Sequence, residues 1–220
     1  MVALLNLAPI FFLGLGLFFL AQLVDRLEPR CRRQSLAGLA LVVLGSLAGA
    51  VNDLFAALSG EGVSLLAAMF YVFGAPGMTL LAAALLRSRA TLSGRTIKRD
   101  PWIGPFLISW TALIAAFWVE DSGDWWRRTL AALCFLATAV TSFAAGALGW
   151  KRQLHMAAGL FAANAAVTAL ILGLRLFTSQ NPWIQLLEFV INLASQAAFA
   201  FASWRVAAEY QARVGPTASA

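Results

Sequence analysis

Charge is what this chain has least of. Asp, Glu, Lys and Arg make up 12% of its 220 residues, about half the roughly 25% of an ordinary soluble domain. That deficit argues against a water-soluble globule. Histidine occurs once, at His155, and cysteine twice, at Cys31 and Cys134. One histidine without a cysteine cluster excludes bis-histidine haem and zinc sites built from several histidines. The two cysteines are far apart and have no CxxC spacing, so they imply neither a disulfide framework nor a metal cluster. Lysine stands only at Lys98 and Lys151. No metal is expected, and no cofactor can be named from these residues.

What is present instead is apolar length. Hydrophobic residues reach 61% and mean hydropathy is +0.79. A bilayer-spanning helix needs about 20 mostly apolar residues, and the chain has seven runs of that kind. They cover about 2–24, 36–58, 63–86, 102–119, 127–149, 154–177 and 183–208, followed by a short polar tail over 213–220. The first run has no basic stretch ahead of it and exceeds a signal-peptide core, so it reads as an uncleaved span. No loop is long enough for a soluble domain. The fold class expected is therefore all-α, a polytopic seven-transmembrane-helix bundle in one domain.

Local signals refine the spans. Gly45 and Gly49 in span two are a small-xxx-small pair that lets a neighbouring backbone approach. Gly74-Ala75-Pro76-Gly77 near the middle of span three predicts a kink or a broken turn, because proline removes a donor. Asp100-Pro101 opens span four as a cap followed by proline at the first helical position. Trp125, Trp126, Trp150 and Trp183 fall at span ends, where aromatic belts form without any ligand.

The basic residues lie in short loops rather than along a groove, which excludes a nucleic-acid partner. Arg26, Arg30, Arg32 and Arg33 follow span one, and Arg87, Arg89, Arg95, Lys98 and Arg99 follow span three. Lys151 and Arg152 follow span five, and Arg205 and Arg213 end span seven. Only Arg127, Arg128 and Arg175 fall on the other side. Positive residues mark the cytoplasmic side, so the N-terminus is expected outside and the C-terminus inside. A multi-pass protein of a bacterial-type inner membrane follows, the Ala- and Arg-rich composition suggesting the source.

Chemistry is sought where polar groups interrupt the apolar runs. Glu188, Asn192 and Gln196 in span seven are four residues apart and share one face of a helix. Asn164, Thr168 and Arg175 share a face of span six. Asn52 and Asp53 in span two are placed at similar depth, with Tyr71 in span three somewhat deeper. Intramembrane ionisable residues are site candidates, so these nine residues form the candidate ligand-binding set, in a polar pocket of the outer half between helices two, three, six and seven. The structural alternative is that Arg175 snorkels outward and pairs with Glu188 while the amides join the helices. One arginine cannot neutralise both Asp53 and Glu188, which favours the cavity.

Three functions fit this pattern. The first is an integral membrane binding or sensory module, or a subunit of a membrane assembly, taking a small or amphipathic ligand. The second is a small transporter or proton-coupled carrier with Pro76 gating a path past Asp53 and Glu188. The third is a lipid-modifying membrane enzyme using those two carboxylates as its catalytic pair. The expected partners are the lipid bilayer, a small-molecule or lipid ligand, and a second copy or another membrane protein. The several histidines of the seven-span hydrolases related to ceramidases and adiponectin receptors are missing. A rhodopsin-type Schiff base has no lysine within a span to form on.

The positive-residue asymmetry yields the first prediction. A reporter fused after Val214 reads as cytoplasmic and one inserted at Ser122 reads as external; the reverse pattern would overturn the depth assignments.

Overall fold

The computed structural model describes residues 7–95, 125–177 and 182–213, and within the intervening stretch residues 100, 102, 104–106, 108 and 109. Most of expected span four and the loop 178–181 lie outside the described residues, as do the side chains of 172–177 and 182–185. The described chain is an all-α bundle. Its helices are α1 (Leu7–Leu27), α2 (Arg32–Ser59), α3 (Ser64–Thr91), α4 (Trp125–Lys151), α5 (His155–Phe177) and α6 (Pro182–Arg213). A short 3-10 turn, Pro29–Cys31, joins α1 to α2. Among the described residues, five stretches are long and apolar enough to cross a membrane: Leu7–Leu27, Pro29–Ser59, Leu65–Thr91, Arg128–Lys151 and Leu186–Ala212. His155–Ile171 is a shorter apolar stretch.

The helices pack as a ring in chain order. α1 meets α2, α2 meets α3, α3 meets α4, α4 meets α5, α5 meets α6, and α6 closes back on α1. Side-chain bonds fix which ends lie together. The Tyr210 hydroxyl at the end of α6 donates to the Leu148 carbonyl at the end of α4 (3.4 Å). Gln211 donates to Gln22 near the end of α1 (3.5 Å). Lys151 donates to Ser93 just beyond α3 (3.0 Å), and the Thr91 hydroxyl donates to the Glu28 carboxylate (2.6 Å). The C-terminal ends of α1, α3, α4 and α6 therefore share one face of the bundle, to which the starts of α2 and α5 are joined by short turns. The described basic residues Arg26, Arg30, Arg32, Arg33, Arg87, Arg89, Arg95, Lys151 and Arg152 belong to that same end.

The tightest contact joins α2 to α3, and small residues make it. A side-chain carbon at Gly38 would stand 2.7 Å from the Gly77 carbonyl, and one at Gly77 would stand 2.8 Å from the Gly38 carbonyl. Lipid supplies no hydrophobic drive between helices, so close van der Waals packing at small residues holds them together. Gly45, expected as a contact point, meets Phe70 and Gly74 of α3 in the same way (3.1 and 3.2 Å to backbone atoms). Gly49 lies against the Phe70 ring at 3.3 Å. The second close approach closes the ring, where Gly16 of α1 lies under the Phe199 ring and Ala200 of α6.

Of the kink or broken turn expected at Pro76, the broken turn does not occur. α3 runs as one helix from Ser64 to Thr91 with Pro76 inside it. Proline removes one ladder bond but leaves the others. Here the flanking Gly74 and Gly77 are clamped against α2, while the Thr79 hydroxyl donates to the Ala75 carbonyl (2.8 Å). The helices also extend past the apolar runs at the basic end, α2 beginning at Arg32 and α6 reaching Arg213. Backbone bonds remain favourable there once polar side chains reach water.

The core occupies the half of the bundle next to the basic end. Leu17, Leu20 and Val24 of α1 are fully buried, as are Leu81 and Leu85 of α3 and Leu148 of α4. Phe161 of α5 and Val206 of α6 complete it, with the Phe161 and Phe199 rings edge to face at 5.7 Å. α2 adds only Val42 to this cluster.

A pair of glycine substitutions tests the packing. Gly77→Val must force the α2 and α3 backbones apart, and overpacking of this kind costs about 1–3 kcal/mol or more. Gly159→Ala meets nothing within 4 Å and should be neutral or stabilising by up to about 1 kcal/mol. Thermal melting in detergent should rank them in that order; equal midpoints would show that the α2–α3 contact does not hold the bundle.

Candidate functional site

The best-formed polar contact inside the bundle lies between α5 and α6. Asn164 is only 4% exposed, and its Oδ1 accepts a 2.7 Å hydrogen bond from the Ser195 hydroxyl. Both residues sit thirteen positions from the ends of their helices at the connecting loop, roughly 20 Å along the axis at 1.5 Å per residue. Equal spacing is what an antiparallel helix pair requires. It also puts the contact nearer the middle of the helices than the outer half expected from the sequence. Ser195 was not in the expected set. Its signal was available, since it neighbours Gln196, but a serine in a helix commonly bonds its own backbone.

The expected stripe on α6 is partly assembled around this pair. Gln196 donates through Nε2 to Asn192 Oδ1 (3.4 Å), one turn away on the same helix. Gln196 Oε1 is buried with no hydrogen-bond partner among the described residues. Glu188, two turns beyond Gln196 toward the start of α6, is half-buried. The Thr168 hydroxyl donates back to the Asn164 carbonyl at 2.8 Å, so it bonds the backbone of its own helix rather than reaching across. The side chain of Arg175 lies outside the described residues, and with it the expected approach to Glu188.

The other members stand apart. α2 makes its substantial contacts with α1 and α3, not with α5 or α6. Asp53 is exposed on it. Asn52 is half-buried against the turn that follows α2, near Gly62, and its Oδ1 is buried without a hydrogen-bond partner among the described residues. Tyr71 on α3 packs edge-on against Phe70 at 5.1 Å. The described residues therefore join Asn164 to Ser195 between α5 and α6 and Gln196 to Asn192 along α6, and leave Asn52, Asp53 and Tyr71 on the far α2–α3 pair. The ring order explains this, because α2 and α6 are separated by α1.

No family model, curated protein or solved structure matches this chain. Function therefore rests on side-chain geometry alone. Among the described residues no group of three or more His, Cys, Asp and Glu side chains is arranged to hold a metal. Two surface cavities lie away from the polar layer. One is an apolar groove of about 690 Å³ between α1 and α2, walled by Phe11, Phe18, Leu36 and Val43. The other, of about 440 Å³, sits at the end of α3 beside Arg89, Ser93 and Arg95.

The Asn164–Ser195 bond can be measured by a double-mutant cycle with Asn164→Ala and Ser195→Ala. Interhelical hydrogen bonds in membranes average about 0.6 kcal/mol and reach about 1.7. A coupling in that range is expected from unfolding in mixed micelles, and zero coupling would show that the two side chains act independently.

Proposed function

We propose that this protein is an integral membrane binding protein, either a sensory module or a subunit of a membrane assembly. In this reading it spans a bacterial-type inner membrane seven times, N-terminus outside and C-terminus cytoplasmic. Its ligand, small or amphipathic, binds against the polar face of α6 formed by Glu188, Asn192 and Gln196, beside the Asn164–Ser195 bond to α5. Membrane embedding is supported by the long apolar helices and by the gathering of basic residues at one end of the bundle. Binding is supported by one observation above the others: Gln196 Oε1 is a buried acceptor with no hydrogen-bond donor among the described residues. Such an atom costs free energy unless a donor reaches it, and a ligand hydroxyl, amine or protonated carboxyl supplies one.

Binding is favoured over passage through the bundle by what lies inward of the stripe. Below Gln196, α6 buries Phe199, Ala200, Ala202, Ser203 and Val206. The Ser203 hydroxyl is spent on the Phe199 carbonyl (2.8 Å). A carrier needs polar stations along the whole path, and this half of α6 is closed with hydrocarbon instead. The two-carboxylate enzyme reading has no comparable support, since Asp53 is exposed on a helix that packs away from α6.

The test is retention of a small molecule through purification. Native mass spectrometry of the parent protein should show an adduct that is lost in Gln196→Leu and in Glu188→Gln, while helicity and melting stay near parental values. An adduct of equal abundance in both variants, or no adduct from any membrane mimetic, would remove the binding reading and leave the layer as a helix–helix contact.

A further inference from the structure

We propose that the basic cavity at the C-terminal ends of α3 and α4 binds the phosphate headgroup of an anionic phospholipid. The site is separate from the α5–α6 layer and does not depend on it. Arg89, Ser93 and Arg95 line the cavity, with Leu86 on its wall toward the body of α3. The Lys151 ammonium, from the last turn of α4, reaches its rim by donating to Ser93 Oγ at 3.0 Å. Arg89 of α3 and Arg95 beyond its end thus line a surface space of about 440 Å³, with Lys151 of α4 held at its edge through Ser93.

Two carboxylates, Glu28 and Asp100, lie in the same network and keep their negative charge, against the cations of Arg87, Arg89, Arg95 and Lys151. Glu28 accepts from Thr91, and Asp100 offers its backbone carbonyl to Arg87 (3.0 Å) and its carboxylate to the Trp102 amide (2.9 Å). Positive charge prevails at the cavity, and a phosphate with several acceptor oxygens matches guanidinium and ammonium donors. The helix ends themselves present carbonyls, which repel an anion. Affinity must then come from the side-chain cations.

The surroundings identify the source of the phosphate as a lipid. The Arg89 guanidinium lies over the Phe143 ring of α4, 5.2 Å from its centre. Phe143 is 64% exposed and Leu86 42% exposed, so apolar surface runs from the cavity along the outside of the two helices. A free phosphate ion gains nothing from that wall, whereas an acyl chain buries it at roughly 25 cal/mol per Å². Basic pockets between membrane helices on the cytoplasmic side are suited to anionic headgroups, and this is the end of the bundle where the described basic residues collect.

The experiment uses the full-length protein in nanodiscs of phosphatidylcholine with a minor fraction of phosphatidylglycerol as the probe, bound lipid being counted by native mass spectrometry. The variant Arg95→Gln/Lys151→Gln changes two exposed side chains. It should lose phosphatidylglycerol about tenfold or more, two cations each contributing as at an anionic surface. Arg205→Gln, an exposed cation beside Trp204 on α6, should retain it. Millimolar inorganic phosphate should not displace the lipid. If the double variant elutes abnormally, Arg95→Gln alone serves with the same controls. Unchanged lipid in the variants, an equal loss in Arg205→Gln, or displacement by inorganic phosphate would each overturn the proposal, the last by assigning the cavity to a free anion.

Discussion

The bundle depends on two backbones coming within side-chain distance of each other at Gly38 and Gly77. In an apolar solvent a leucine gains almost nothing by leaving lipid for a helix neighbour, so contact area alone does not join helices. Direct backbone approach multiplies short-range dispersion contacts and admits no lipid chain between the helices. Gly45 extends the same contact toward the other end of α2. Once α2 and α3 are joined so closely, the proline in α3 cannot open the helix, because the turns on both sides of it are held. Gly16 under Phe199 then serves the opposite side of the ring, where α6 returns to α1.

The interior beyond these contacts is divided by polarity. Toward the basic end, leucines, alanines and the rings of Phe161, Phe199 and Tyr210 fill the space. Tyr210 closes this core with its hydroxyl on Leu148 and the Arg152 guanidinium 4.6 Å from its ring centre. Gln34, fully buried beside it, gives its Nε2 to the Leu80 carbonyl (3.1 Å) and keeps an unpartnered Oε1 among the described residues. Toward the middle of α5 and α6 the filling changes to amides and a hydroxyl. There Gln196 keeps an unpartnered Oε1 among the described residues, as Gln34 does.

Much of the secondary structure was legible in the chain. Apolar runs longer than a bilayer is thick, ended by charged turns, identify long helices because backbone groups in hydrocarbon must be paired within the segment. The small-residue contact of α2 was legible at Gly45, though Gly38 and Gly77 were not expected as contact points: they lie outside any four-residue spacing and become partners only when α2 and α3 cross. The broken turn expected at Pro76 failed for the same reason, since propensity describes a helix alone and not one clamped to a neighbour. Among polar residues, the face shared by Asn192 and Gln196 followed from helical spacing, and Asn164 was placed on the face of its helix that does turn inward.

The sequence by itself determined which segments are helical and apolar, how charge collects in the connecting turns, and which polar residues are forced to lie on a common helix face. These are properties of one helix at a time, set by a repeat of 3.6 residues per turn and by the cost of charge in hydrocarbon. Only the tertiary structure decided which faces meet. It joined Asn164 to Ser195, left Asp53 exposed on a helix that packs elsewhere, and brought Lys151 of α4 to Ser93 beyond α3. Residues far apart in the chain become neighbours through the order of helices around the ring, and that order is selected by close packing between surfaces, which no single helix encodes.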